Sequence, residues 1–217
     1  MILAVNLRSA ICVINDYPVL VDADLAVGEG ELVAVGGSNG AGKTTLLRVI
    51  AGLTSLRSGS CEVFGLDVGA NARILRRRFT YLGHTPSLYD ELTLLENVQL
   101  AAQCLGKSVE SAEPALARVG LHSRESRVPA KQASSGQRRR ASLAVMLVRD
   151  SALWLLDEPL AGLDSEGKSL VVDLVEEARS QARTVILTTH EDLFSGIVDK
   201  EVEVRNGIVE QAVLRVS

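Results

Sequence analysis

The sequence predicts an α/β fold whose core is a mainly parallel sheet, with an antiparallel β subdomain before it and a helical subdomain inserted later. Three observations carry this. A glycine-rich loop ending in Gly42-Lys43-Thr44 lies between the apolar run Leu32–Val35 and a helix-like stretch. Two further apolar runs, Leu153–Leu156 and Thr184–Thr188, each end in polar residues, as buried parallel strands do. Between Leu92 and Arg127 the apolar spacing turns helical and no strand pattern interrupts it.

In chain order, Leu3–Leu7, Ile11–Ile14 and Val19–Val27 read as strands, and Gly28-Glu29-Gly30-Glu31 as a turn. After the Leu32–Val35 strand and the glycine loop, Thr45–Leu53 has helical spacing, broken at Gly52. Residues 54–70 read as loop with a short strand, Ile74–Arg78 as an exposed basic helix end, and Phe79–Leu82 as a strand. Helices follow around Leu92–Leu105 and from Glu113, then Gln137–Arg149 and Glu166–Gln181. The tail Glu201–Gln211 alternates around Asn206-Gly207, a hairpin signal. The expected organisation is one domain over 1–217, with 1–84 and 134–217 forming the core and about 85–133 the helical subdomain.

The chain of 217 residues, 47% apolar, is long enough to bury a substantial core. Its net charge of −4 and 3% aromatic content give no basis for a nucleic-acid partner. Cys12, Cys61 and Cys104 match no metal or redox spacing and read as reduced thiols. No targeting signal and no membrane-spanning run is visible, so work at a membrane would need a separate membrane subunit.

The loop Gly37-Ser38-Asn39-Gly40-Ala41-Gly42-Lys43-Thr44-Thr45 has phosphate-loop spacing. Its backbone N–H groups and the following helix N-terminus suit an anion, which makes the core that of a P-loop NTPase. Asn39, Gly40, Ala41, Gly42, Lys43, Thr44 and Thr45 are the expected cradle, with Lys43 on the outer phosphates and Thr44 on Mg²⁺. In an open parallel sheet, ligands bind beyond the carboxyl ends of the strands. Asp157-Glu158 and Thr189-His190 close two of those strands. Asp157 is the second candidate Mg²⁺ ligand, Glu158 the group that polarises an attacking water, and His190 a third catalytic candidate beside Lys43.

Ala133-Ser134-Ser135-Gly136-Gln137, Asp157-Glu158-Pro159-Leu160-Ala161-Gly162-Leu163-Asp164 and Thr188-Thr189-His190 join the phosphate loop in order. With these four motifs the chain resembles the ATP-binding subunits of ABC transporters over essentially its whole length. The resemblance implies ATP and Mg²⁺ as cofactors, and a homodimer in which each ATP lies between the loop of one copy and the signature of the other. Ser134, Gly136, Gln137 and Asp164 would contact nucleotide there, although Ser134 and Ser135 also read simply as a helix N-cap. It also implies ATP hydrolysis coupled to transport through separate transmembrane permease subunits, with the chain cytoplasmic and peripheral on the inner face of the cell membrane.

The chain departs from the family pattern at several positions. Ser135 stands for the first signature glycine and Ala133 for its leucine. Ile14 aligns with the usual adenine-stacking aromatic, and Tyr17 lies three residues on; either could meet the base. His84 stands where the family has a glutamine that contacts Mg²⁺ and water and relays to the membrane subunit, which makes His84 a candidate metal and cofactor contact. The Tyr81-Leu82-Gly83-His84 stretch and the one-glycine signature are most similar to the haem-exporter branch that serves cytochrome c maturation. The arginines of Arg138-Arg139-Arg140 are expected to include solvated ones without a catalytic role. A soluble ATPase of the same family acting on ribosomes or DNA is the alternative, which lacks a second cassette or coiled-coil insertion here. An unrelated P-loop kinase or GTPase would leave the signature helix unused.

Overall fold

The computed structural model describes residues 2–211; residue 1 and residues 212–217, which the one-domain expectation also covered, lie outside the described residues. The chain runs β1 (Leu3–Ile14), β2 (Tyr17–Gly28), β3 (Leu32–Gly36), α1 (Lys43–Ile50), β4 (Ser58–Val63), β5 (Leu66–Asp67), α2 (Ala72–Leu75) and β6 (Phe79–Leu82). It continues through α3 (Leu94–Cys104), α4 (Ala112–Arg118), α5 (Ser123–Ser126), α6 (Ser135–Arg149), β7 (Leu153–Asp157), α7 (Ser165–Ser180), β8 (Thr184–Thr188), β9 (Lys200–Arg205) and β10 (Ile208–Gln211).

Two compact units divide these elements. The first comprises the residues through Tyr81, Ala152–Glu158 and the chain from Leu174. It holds an antiparallel sheet of order β2-β1-β4-β5 and a second sheet of order β10-β9-β3-β8-β7-β6. In the second, β9, β3, β8 and β7 run parallel, while β10 returns antiparallel on β9. One apolar cluster joins both sheets to α1: Val5, Leu7 and Leu25, then Val33 and Val35, then Leu46, Leu47 and Ile50, with Leu155 and Ile186. The alternating N-terminal pattern buries one face of its sheet. The unbroken runs of β7 and β8, buried at every position, are the signature of covered parallel strands.

The parallel register fixes where the strands end. Val35 pairs with Thr188, and Thr188 with Asp157. Three chain exits are therefore level at one edge.

The other unit comprises Leu82–Ser151 and Pro159–Asp173. Helix α6 packs against α3 and α4, burying Leu94, Val98, Leu116, Leu143 and Met146. Two capping boxes start its principal helices, Thr93 with Glu96 on α3 and Ser134 with Gln137 on α6.

Several elements differ from the sequence reading for local reasons. Leu3–Leu7 and Ile11–Ile14 form one strand, because Ser9 at φ 42 makes an irregularity that breaks the alternation without ending the strand. Residues 54–70 contain the β4–β5 hairpin, hidden by the polar sequence Ser58-Gly59-Ser60. Helices α1 and α6 each begin two residues earlier than the apolar spacing suggested, since polar first turns carry no periodicity.

Candidate active site

The loop between β3 and α1 is shaped by two glycines that no other residue replaces. Gly37 has φ 130 and a Cβ on it would lie 2.3 Å from Val204 O; Gly42 has φ 114 and its Cβ would lie 2.8 Å from Val19 O. The loop thus closes against the backbone of β2 and β9. Gly207 N also donates to Ala41 O at 3.0 Å, and the φ of 49 and 81 at Asn206 and Gly207 form the tight turn that brings it there.

Lys43 opens α1, 7% exposed. Its Nζ donates to Gly37 O at 2.8 Å and Ser38 O at 3.1 Å, so the ammonium is folded back over the loop. The same Nζ lies 3.2 Å from His190 Nε2, which is itself 3.1 Å from Glu158 Oε1. Lys43, His190 and Glu158 thus form a continuous chain across three strand ends. A single ring nitrogen either accepts from the lysine or donates to the carboxylate, so the tautomer and charge of His190 select its partner.

Asp157 lies at the end of β7, 1% exposed. Its Oδ1 accepts from Thr44 Oγ1 at 3.1 Å and from Thr188 Oγ1 at 2.9 Å, and its Oδ2 accepts from Tyr81 OH at 3.3 Å. Burial, reinforced by the Asp157 charge, pushes the Tyr81 phenol up to about 12, so it remains a donor at neutral pH. Glu158 takes the left-handed φ of 48, unusual for a side chain with a Cβ and before a proline. Its N–H donates to Thr188 Oγ1 at 2.8 Å, which holds that turn.

The structure thus brings Gly37–Thr44, Asp157, Glu158 and His190 together in one unit. Asn39 and Gly40 sit at the exposed crest of the loop, while Ala41 and Thr45 are buried beneath it. Tyr81 and Thr188 complete the constellation and were not singled out as site residues. Their signal was weak, one aromatic and one threonine inside ordinary strand runs. Ile14 and Tyr17 pair with each other at the tip of the β1–β2 hairpin, 38% and 74% exposed. That tip continues into Val19, which contacts the Gly42 position.

Five further candidates fall in the helical unit. Ser134 Oγ accepts from Gln137 N at 3.1 Å and Gln137 Oε1 accepts from Ser134 N at 2.9 Å, closing the cap of α6 around Gly136. Asp164 Oδ1 accepts from Gly167 N at 2.9 Å and Arg140 Nη2 at 3.1 Å. These donors, the backbone N–H first, hold its carboxyl below the usual carboxylate range. His84 is exposed. The arginines are less solvated than expected. Arg138 bonds Asp90 and Ala130 O, Arg140 bonds Val119 O and Asp164, and Arg139 is 2% exposed.

Comparison with known proteins agrees with this geometry. The ABC transporter family profile matches residues 20–161. The cytochrome c biogenesis ATP-binding export protein CcmA of Nitrosomonas europaea is 37% identical over 88% of this chain and 90% of its own length. The CcmA protein of Vibrio cholerae is 40% identical over 76% of this chain and 81% of its own. Among solved structures, the ATP-binding subunit of an ABC transporter superposes with a TM-score of 0.88 at 29% identity, covering 97% of this chain and 90% of that one. A dimeric ATP-binding cassette bound to ADP and Pi gives 0.91 at 23% identity, covering 98% and 100%. The second likeness bears on fold alone. Loop, strand-end carboxylates and histidine, read together with these likenesses, make the chain a member of the ABC transporter family, as an ATP-binding and ATP-hydrolysing subunit.

Proposed function

We propose that this subunit works as a homodimer that closes on two Mg-ATP and drives a separate permease, and that the exported cargo is haem destined for cytochrome c maturation. The observation that carries the motor reading is the Lys43–His190–Glu158 chain beside a buried Asp157.

Thr44 Oγ1 and Asp157 Oδ1, 3.1 Å apart, are hard oxygen donors of the sort Mg²⁺ takes, and they are the residues that would hold it. Bound there, the ion would neutralise charge on the phosphates. Lys43, which bonds Gly37 O and Ser38 O here, turns its ammonium to the phosphate oxygens when nucleotide enters. Glu158 accepts a hydrogen bond from the attacking water and orients it toward the γ-phosphate. His190 keeps Glu158 in register and passes from Lys43 to the γ-phosphate. In the closed dimer, Ser134, Gly136 and Gln137 of the other copy present the N-terminus of α6 to that phosphate, where the dipole favours an anion. Asp164 lines the same interface, His84 supplies a contact to metal or nucleotide, and Ile14 or Tyr17 covers the adenine.

Among the described residues, no helix is long and apolar enough to cross a membrane. The chain's membership of the ABC transporter family supports a peripheral position on the inner face, held there by permease subunits. The haem reading is supported by relatives named as cytochrome c biogenesis export proteins and by Gly83-His84.

Two experiments test this. Glu158→Gln should bind Mg-ATP without turnover and accumulate as a dimer in light scattering; a monomer at saturating Mg-ATP overturns the sandwich. A mild-detergent pull-down from native membranes should recover small haem-exporter membrane subunits. A different permease discards haem and keeps the motor, whereas ribosomes would discard both.

A further inference from the structure

Arg139 is among the most buried large side chains of the protein. Its Nε donates to Pro159 O at 3.2 Å and its Nη1 to Gly83 O at 2.6 Å. Burying a guanidinium is costly, and an apolar side chain of similar length would fill such a place without that cost. The charge is therefore explained by what it holds rather than by packing.

Both carbonyls stand at special points of the chain. Pro159 is the first residue of the helical unit after Glu158, and Gly83 the second after Tyr81. Pro159 has no N–H, so its carbonyl is the one backbone group by which a hydrogen bond can grip it. Glu158 adopts φ 48 directly before that proline, where the backbone is restricted. Within the core unit Thr188 Oγ1 accepts from Glu158 N, and within the helical unit Pro159 O accepts from Arg139 Nε. Gly83 has no side chain to restrain it, and the next residue is His84. The planar guanidinium keeps the two carbonyls at a fixed separation, which a flexible ammonium does less well. Arg139 also lies little more than one turn into α6 from the Ser134 cap.

We propose that Arg139 is a positioning residue for ATP hydrolysis: within the helical unit it ties the start of α6 to Pro159 and Gly83, and so fixes the backbone at the chain neighbours of Glu158 and His84. This rests on the catalytic reading of Glu158 given above. The residues that flank it act in parallel. Arg138 reaches Asp90 and Arg140 reaches Asp164, so three consecutive side chains connect one helix start to the loop between β6 and α3 and the loop between β7 and α7.

The test compares Arg139→Met, Arg139→Gln and Arg139→Lys in the full chain, each measured for thermal midpoint, fluorescent-ATP affinity, KM and kcat. In Arg139→Met, kcat should fall about tenfold or more while ATP affinity and KM stay within about threefold. Arg139→Lys should recover part of kcat. If Arg139→Met does not fold, the Gln and Lys variants carry the same comparison, with Lys expected to be the more active. A kcat within about twofold of wild type in a folded Met or Gln variant overturns the proposal. So does a loss in which kcat, affinity and melting fall together and Lys restores none of them. Absence of ATPase activity in the wild-type chain would instead overturn the catalytic reading itself, which keeps the two failures separate.

Discussion

The Thr188 hydroxyl donates to Asp157 Oδ1 at 2.9 Å and accepts from Glu158 N at 2.8 Å, so one oxygen holds both strand-end carboxylate residues. Thr188→Val keeps the volume and removes both bonds. Removing the acceptor of this part-buried N–H costs about 1 kcal/mol, and the Asp157 carboxylate loses one of its donors as well. The thermal midpoint should fall accordingly. ATP turnover should fall by about tenfold or more, because Glu158 no longer has its amide held at φ 48. Steady-state hydrolysis beside a melting curve checks this; a variant that melts lower yet hydrolyses at the wild-type rate would remove Thr188 from the site.

The phosphate loop makes a second, geometric prediction. An alanine Cβ at Gly37 would meet Val204 O at 2.3 Å, whereas at Gly40 nothing lies within 4 Å. Gly40→Ala then carries only the left-handed penalty at φ 79, roughly 1–2 kcal/mol. Gly37→Ala adds a backbone clash, for which about 1–3 kcal/mol more is expected. Denaturant unfolding without nucleotide should rank wild type, Gly40→Ala and Gly37→Ala in that order, and an inverted order would sink the account of the loop.

Much of this site was legible because its parts are local. The loop is a contiguous run of glycines before Lys43, and Asp157 and His190 each follow an apolar strand. Parallel register then does the assembly: Val35, Thr188 and Asp157 are brought level by strand pairing that no short motif encodes. Arg139 and Tyr81 were not legible, because their partners lie 56 and 76 residues away and include plain carbonyls. The same holds for β1. Its alternation slips at Ser9, and only the pairing with β2 and β4 shows that the strand continues.

Thiol chemistry gives a third prediction. Burial pushes the Cys61 thiol up to about 12, with the charges of Asp67 and Glu62 adding to it, and burial also raises Cys12. The thiolate is the reactive form, so raising the pKa suppresses reaction near pH 8. Cys104 is exposed. A thiol-specific chromogenic reagent should therefore titrate one group quickly in the native protein and all three in denaturant. Rapid native reaction at Cys61 would contradict the burial of β4.

The start of α3 sets a pH dependence whose sign can be worked out. Glu96 Oε2 accepts from Thr93 N and Thr93 Oγ1, both at 2.8 Å. These bonds, the backbone one first, hold its carboxyl below the ordinary 4.5. A carboxyl whose pKa is depressed in the folded state contributes stability that is present above its unfolded value. That contribution is lost as pH falls through the folded value. The box should therefore be intact from neutrality down to about pH 4.5 and weaken below it. Asp164, held low by Gly167 N and Arg140, loses its contribution in the same direction from 3.8 downward. Glu96→Gln keeps an acceptor for Thr93 but cannot titrate. Its thermal midpoint should lie near the wild-type value at pH 7 and fall less steeply between about pH 4.5 and 3. Melting curves of the two proteins across that range decide it: parallel curves would mean that the Thr93–Glu96 box contributes nothing to the acid response.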